Sequence, residues 1–345
     1  MRALGRLLAR LALGAGLLLA ALLAPVLWVE TACRGGEVVS ARADPLLPPE
    51  DRRSEARTLM TYPEWHIVHA YDDYARVIAD GPPHAYGFLR AVGQFWGASC
   101  DLMRAAPAHG GADWTTRQTM HVIGVSFTAE MLLKALYEET LGRLAHATFG
   151  RGPLDDLSAA QAADYAAFLR QVPWYRWDFG EAAQALDAAA TDTPRDRERR
   201  LALGAEYRAK AAYAEVIAGA VAATGEDALT MRSVVTGAGA DALSAVEGVT
   251  VIGPLGGGTE IETPRYAAFT ALLPALAATG ADFAEIAGND EIMATFTGAA
   301  PVDGALRVMP RQGYGDSRSL VLMGVGELLE RFRTGAGGLE HVHDY

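Results

Sequence analysis

An uncharged apolar run from Leu11 to Val29, preceded by Arg2, Arg6 and Arg10, constrains this chain more than any other feature. Its length is close to the roughly 20 residues an α-helix needs to cross a hydrocarbon core about 30 Å thick. Only Arg34 and Arg42 follow closely, so the excess of positive charge before the run predicts a cytoplasmic N-terminus and a body outside the cytoplasm. The run is longer than the apolar part of a secretory signal. Its cleavage sites are also poor: Glu30 spoils a site before Cys33, and Ala41-Arg42-Ala43 lies well beyond Val29. The sequence therefore predicts a single-pass anchor in preference to a removed signal peptide. No later segment competes, because Met120 to Tyr137 carries His121, Glu130 and Lys134, and Ala267 to Thr279 is short and contains Pro274.

With 345 residues, half of them apolar, the body has ample material for one large or two medium domains. A net charge of −12 argues against a nucleic-acid partner, which requires clustered basic residues. Lys134 and Lys210 are the two lysines among 30 basic residues, and with the abundant alanine this bias points to a GC-rich, bacterial genome. The expected location is the bacterial inner membrane, with the C-terminal part in the periplasm. In that oxidising compartment Cys33 and Cys100 can pair, although two cysteines establish no pattern and a buried Cys100 with a free Cys33 explains the residues equally well.

Four regions follow from the local pattern: an anchor over 1–30, a juxtamembrane linker over 31–57, a mainly helical region over 58–225 and an α+β domain over 226–345. Helix starts are read at the capping box Thr61-Tyr62-Pro63-Glu64, at Thr115 with Gln118, at Ser158 with Gln161, and at Thr193-Pro194. After Gly225, short apolar runs bounded by glycine read as strands, at Ser233 to Val235, Val249 to Ile252, Asp282 to Ala287, Glu291 to Thr297, Leu306 to Met309 and Leu320 to Met323. A helix is expected over 264–279, and Gly288-Asn289-Asp290 predicts a hairpin between its flanking strands. The fold class is α+β with a split βαβ arrangement in the C-terminal domain; no internal repeat is visible.

Three constellations bear on chemistry. On the first soluble helix Ile67, Val68, Tyr71, Tyr74, Ala75 and Ile78 share a face, while His66, His69 and Asp73 cluster on the other, at spacings that let side chains chelate a divalent metal. Lying opposite the apolar stripe, they equally describe a solvated face, which is the preferred reading. Glu340-His341-Val342-His343-Asp344, if a strand, puts His341 and His343 on one side as a metal grip, against the simpler reading of a polar tail. Trp174, Tyr175, Arg176 and Trp177 describe a ligand or partner surface, or more simply a core plug.

Other patterns are weak. Gly237-Ala238-Gly239-Ala240-Asp241-Ala242 imitates a dinucleotide loop without its context, and Gly256-Gly257-Gly258-Thr259 reads as a flexible connection. There is no nucleophile elbow, and the paired carboxylates Asp72-Asp73, Glu138-Glu139 and Asp155-Asp156 point apart on a helix. The expectation is a membrane-anchored protein that binds an envelope protein or a small-molecule ligand. The alternative is a metal-dependent periplasmic hydrolase using His66, His69, Asp73, His341 and His343.

Overall fold

The computed structural model describes residues 2–39, 45–224, 229–335 and 337–343. The candidate cleavage residues Ala41 to Ala43 and the terminal Asp344 lie outside the described residues. The chain is mixed helix and sheet: one N-terminal apolar helix, a helical middle and C-terminal antiparallel sheets.

Helix α1 (Arg2–Ala32) contains Ala12–Ala32, which is long and apolar enough to cross a membrane, a property that a signal sequence near an N-terminus shares. Leu13, Leu17, Leu18, Leu19, Leu27 and Trp28 are exposed, so no protein surface covers them. Its C-terminal end is different. Val29 and Cys33 are fully buried in the helical core, and Cys33 is joined to Cys100 (S–S 2.05 Å). The segment after α1 is also fastened: the backbone N–H groups of Leu46 and Leu47 donate to Glu285 at 2.6 and 2.8 Å.

The helical middle comprises α2 (Glu55–Asp80), α3 (Phe88–Ala105), α4 (Trp114–Tyr137), α5 (Arg143–Phe149), α6 (Pro153–Leu169), α7 (Phe179–Ala189) and α8 (Pro194–Thr224). The central element is α2, which packs on α3, α4 and α6. It begins six residues before Thr61 and carries Pro63 in its interior, so the expected capping box is not a helix start. Ser158 likewise lies inside α6, which begins at Pro153 and is capped by Asp155 accepting from the Gly152 N–H. At α8 the expected start holds, with Thr193 Oγ1 accepting from the Asp196 N–H at 3.2 Å. Arg195 grips Asp155 through two bonds of 2.6 and 2.8 Å and Arg199 meets Glu138 at 2.7 Å, fastening buried charges between helices. Tertiary partners thus make ion pairs of carboxylates that local geometry leaves apart.

The C-terminal part holds β1 (Thr230–Thr236), α9 (Ala240–Ser244), β2 (Thr250–Leu255), β3 (Gly258–Pro264), α10 (Tyr266–Ala278), β4 (Asp282–Ile286), β5 (Glu291–Gly298), β6 (Arg307–Pro310), β7 (Ser317–Gly324), α11 (Val325–Arg333) and β8 (Leu339–His343). The first sheet has the order β2-β3-β1-β4 and the second β6-β7-β5-β8, with antiparallel neighbours throughout. In each, a helix links two parallel strands that flank a central antiparallel one, which is a split βαβ unit. The two halves repeat one topology. Both also carry an irregularity at the same place, between Val234 and Val235 opposite β4 and between Thr295 and Phe296 opposite β8. A duplicated path is invisible in the sequence because the strand faces bury different side chains.

Two local expectations are overturned. The segments flanking Gly288-Asn289-Asp290 are not a hairpin: β4 pairs with β1, whereas β5 pairs with β7 and β8. Asn289 Nδ2 donates to the carbonyls of Arg53 and Ala287, holding a corner that sends the chain from one sheet to the other. Conversely, Gly256-Gly257 is a tight hairpin between β2 and β3, its two residues at φ 57° and 86° where glycine alone is unstrained. The Gly237 pattern precedes a five-residue helix after a strand with antiparallel partners on both sides, which is not a dinucleotide-binding unit.

The second sheet lies between the helical body and the pair α10/α11. Val342, Ala294 and Phe296 join the core with Leu272, Leu276, Leu328 and Leu329, while Met293, Met309 and Leu320 join the helical core. Burial on both faces explains the near-continuous apolar runs of β5 and β7.

Candidate functional site

His66, His69 and Asp73 are buried rather than solvated, as are His341 and His343 on β8: the second sheet covers His69 and Asp73, and α3 and α4 cover His66. The helix and strand bring the histidines together: the rings of His341 and His343 are 4.9 Å apart and those of His69 and His343 are 6.4 Å apart. Trp65 stacks on His341, and Tyr62 packs edge-on against His343. Asp73 has a different role from the ligand assigned to it. Its oxygens accept from Arg318 Nη1 at 2.7 Å and the Gln312 N–H at 2.9 Å, and Arg318 also binds Glu340 and Asp72.

Burial pushes His66 and His343 down to about 3, and His69 and His341 well below the usual range. Each is therefore a neutral imidazole with one N–H and one lone pair. Three are oriented by a single bond: His66 Nε2 donates to the Ala91 carbonyl at 3.0 Å, His341 Nδ1 meets Thr270 Oγ1 at 3.3 Å, and His343 Nε2 meets Thr295 Oγ1 at 2.7 Å. The other nitrogen of each, and both of His69, have no hydrogen-bond partner among the described residues. Leaving such a group unpaired costs about 1–3 kcal/mol.

On the opposite side of Trp65 lies a cavity of about 900 Å³ between α2, α4, α6 and α8. Its walls are Ile67 and Val68 from α2, Ile123, Phe127 and Leu133 from α4, Leu169 from α6, and Leu203, Tyr213 and Ile217 from α8. Trp174 and Tyr175 close one end, whereas Trp177 packs on Tyr165 and Phe179 and Arg176 is exposed. The aromatic segment thus divides: half lines a cavity and half plugs the core.

Both lysines of the chain reach this cavity. Lys210 Nζ lies 2.6 Å from Glu130 Oε1 and 3.2 Å from Glu206 Oε1, and donates to the Tyr71 hydroxyl at 2.6 Å. Lys134 Nζ lies 2.8 Å from Glu206 Oε1. Despite its burial, Lys210 is held well above its usual range by Glu130, Tyr71 and Glu206, so it is a charged ammonium and not a nucleophilic amine. Two ammonium groups face two carboxylates, which makes the polar patch neutral as a unit. The sequence reading missed this group. Its trace is a pair of identical i, i+4 spacings, Glu130 with Lys134 and Glu206 with Lys210; the fold keeps the second and adds the cross-helix pairs Lys134–Glu206 and Lys210–Glu130.

The cavity stands close to the end of α1. His121 Nε2 of α4 lies 2.8 Å from Glu30 Oε1 near the end of α1, with Arg117 Nη1 3.3 Å from its other oxygen. One residue beyond His121, Val122 is 56% exposed and lines the cavity, as does Leu133 at 68% exposed. Leu136, Leu141, Leu144, Leu201 and Val216 extend exposed apolar surface along the neighbouring helices.

Elsewhere, Glu55, His109 and Glu291 form the one trio among the described residues whose possible metal-donor atoms all lie within 4.8 Å of one another. His109 Nδ1 sits 2.8 Å from Glu55 and 3.2 Å from Glu291, ion-pair distances that tie α2 to β5. The chain matches no family model, no curated protein and no solved structure.

Proposed function

We propose that this is a membrane-anchored, extracytoplasmic binding protein of the bacterial envelope whose helical cavity takes up the hydrocarbon chain of a membrane amphiphile. The observation that carries this reading is the apolar cavity of about 900 Å³, at the upper end of the range typical of ligand pockets. An acyl chain suits it because the walls are aliphatic and aromatic and the inner charges already neutralise one another, so the occupant need bring none. Its source is the bilayer: α1 is locked to the body by Glu30 and the disulfide, and exposed apolar side chains flank the opening on α4 and α8. The same locking favours a retained anchor, since removing α1 would take Glu30 from His121 and Arg117. The arginines before the apolar run favour a periplasmic body.

The test is native mass spectrometry and solvent extraction of full-length protein purified from membranes, followed by displacement of a fluorescent fatty-acid probe. A co-purifying acyl lipid at about one equivalent, lost on Val68→Trp or Leu203→Trp while the fold is retained, is the expected result. Lipid-free protein that also fails to bind the probe refutes the reading. A C-terminal reporter active only in the cytoplasm refutes the topology.

A further inference from the structure

Three buried imidazoles, His69, His341 and His343, with nitrogens that have no hydrogen-bond partner among the described residues, meet between α2 and β8, on the far side of Trp65 from the cavity. Such a group is explained if the orphaned nitrogens belong to an ion. The orienting bonds fit: His341 and His343 each have one nitrogen on a threonine hydroxyl and the other without a partner among the described residues, and such bonds set the tautomer and aim of a metal-ligating histidine.

The spacing fits as well. Two imidazoles on one tetrahedral Zn²⁺, with Zn–N distances near 2.0–2.1 Å, place their ring centres about 5 Å apart. His341 and His343 stand at 4.9 Å; His69 and His343, at 6.4 Å, must draw together for the third nitrogen to join the ion. Glu340 Oε2 lies 3.8 Å from His69 Nε2. In the Glu55–His109–Glu291 trio, by contrast, the imidazole nitrogen already has its carboxylate partners.

We propose that His69, His341 and His343 bind a divalent transition ion of the zinc class that fastens β8 to α2, with the fourth position taken by Glu340, whose two oxygens also accept from Arg318 at 2.7 and 3.1 Å and would have to share it with the ion. Imidazole donors select this class over magnesium or calcium. The site is closed, with the three histidines between 0 and 4% exposed, which is the character of a structural centre rather than one that holds a reacting water. The edge position of β8 in its sheet gives the ion a route in, since this strand can part from α2 without opening the rest of the sheet.

The experiment is titration of full-length, untagged protein in detergent, after chelator treatment, with Zn²⁺ and with Co²⁺ as a spectroscopic probe. One equivalent of Zn²⁺ is expected, with a rise in Tm and the visible absorption of four-coordinate Co²⁺ with nitrogen donors. His69→Gln and His343→Gln should each weaken uptake more than about tenfold, and Thr295→Val by about 10–100-fold through the orienting bond alone. His109→Gln should leave uptake unchanged. Should a histidine variant fail to fold, the wild-type stoichiometry and Co²⁺ spectrum still decide the matter. Wild-type protein that takes up no equivalent of either ion overturns the proposal, as does uptake abolished by His109→Gln and unchanged by His69→Gln.

Discussion

Replacing Lys210 by methionine tests whether the charges of the cavity act as one neutral unit. Methionine keeps much of the apolar stem but removes the ammonium that meets Glu130, Glu206 and Tyr71. Two carboxylates then face Lys134 alone. Removing one partner of a buried ion pair costs about 3–5 kcal/mol, because an uncompensated charge stays behind. For a large chain, at about 2 °C per kcal/mol, Tm should fall by about 6–10 °C. Adding Glu130→Gln removes that surplus charge and leaves Lys134 and Glu206 at 2.8 Å. Replacing both members of a buried pair is often close to neutral, so the double variant should lie within about 1–2 kcal/mol of the wild type. The implied coupling is about 2 kcal/mol or more. Thermal unfolding in detergent, followed by tryptophan fluorescence for wild type, both single variants and the double, measures it. A double variant that loses the sum of the single losses, or Lys210→Met within 1 °C of wild type, refutes the reasoning.

Burial raises the pKa of Glu206, but Lys134 and Lys210 pull it down to about 2 against its ordinary 4.5. A depressed carboxylate stabilises the fold fully above its unfolded pKa, so this contribution should fade as pH falls from about 4.5 towards 2, and Glu206→Gln should flatten that part of the Tm profile. An unchanged acid slope in the variant would count against the assignment. The Cys33–Cys100 bond spans a sequence separation of 67 residues, so its removal should cost about 4 kcal/mol in the chain-entropy model, read as a Tm difference between Cys33→Ser/Cys100→Ser and wild type. A Cβ on Gly124 would meet Phe95 Cε1 at 2.5 Å and Trp96 Cη2 at 2.7 Å. Gly124→Val should therefore cost about 1–3 kcal/mol by overpacking α4 on α3; unchanged denaturation curves would contradict that contact.

Some of this architecture was legible because its causes are local. Thr193 caps α8 with its own hydroxyl, and the uncharged run before Glu30 needs no distant residue to form an apolar helix. Capping signals failed where packing offered more: α2 runs through Thr61 and Pro63 because the turns on either side bury Leu59, Met60, Tyr62 and Trp65 among other elements. The strand β3 escaped notice because Thr259, Glu260 and Glu262 carry no apolar alternation, and its register is set by β1 and β2. The Gly288-Asn289-Asp290 segment has hairpin composition, yet strand pairing is decided by partners far along the chain.

His69, His341 and His343 show the same division in the candidate sites. Sequence spacing put His66 beside His69 and His341 beside His343, since side-chain direction on a helix or strand follows from backbone period alone. Whether those pairs face water or each other depends on the second sheet closing over α2, a long-range packing event that no local window encodes. Likewise Glu130-Lys134 and Glu206-Lys210 are written as separate helical pairs, and only the crossing of α4 and α8 joins them into one network around a cavity. The sequence by itself determined the apolar N-terminal helix, the sequence of helical and sheet regions and the residue types available for chemistry. The tertiary structure decided which of them meet, because burial and charge pairing are properties of surfaces brought together from distant parts of the chain.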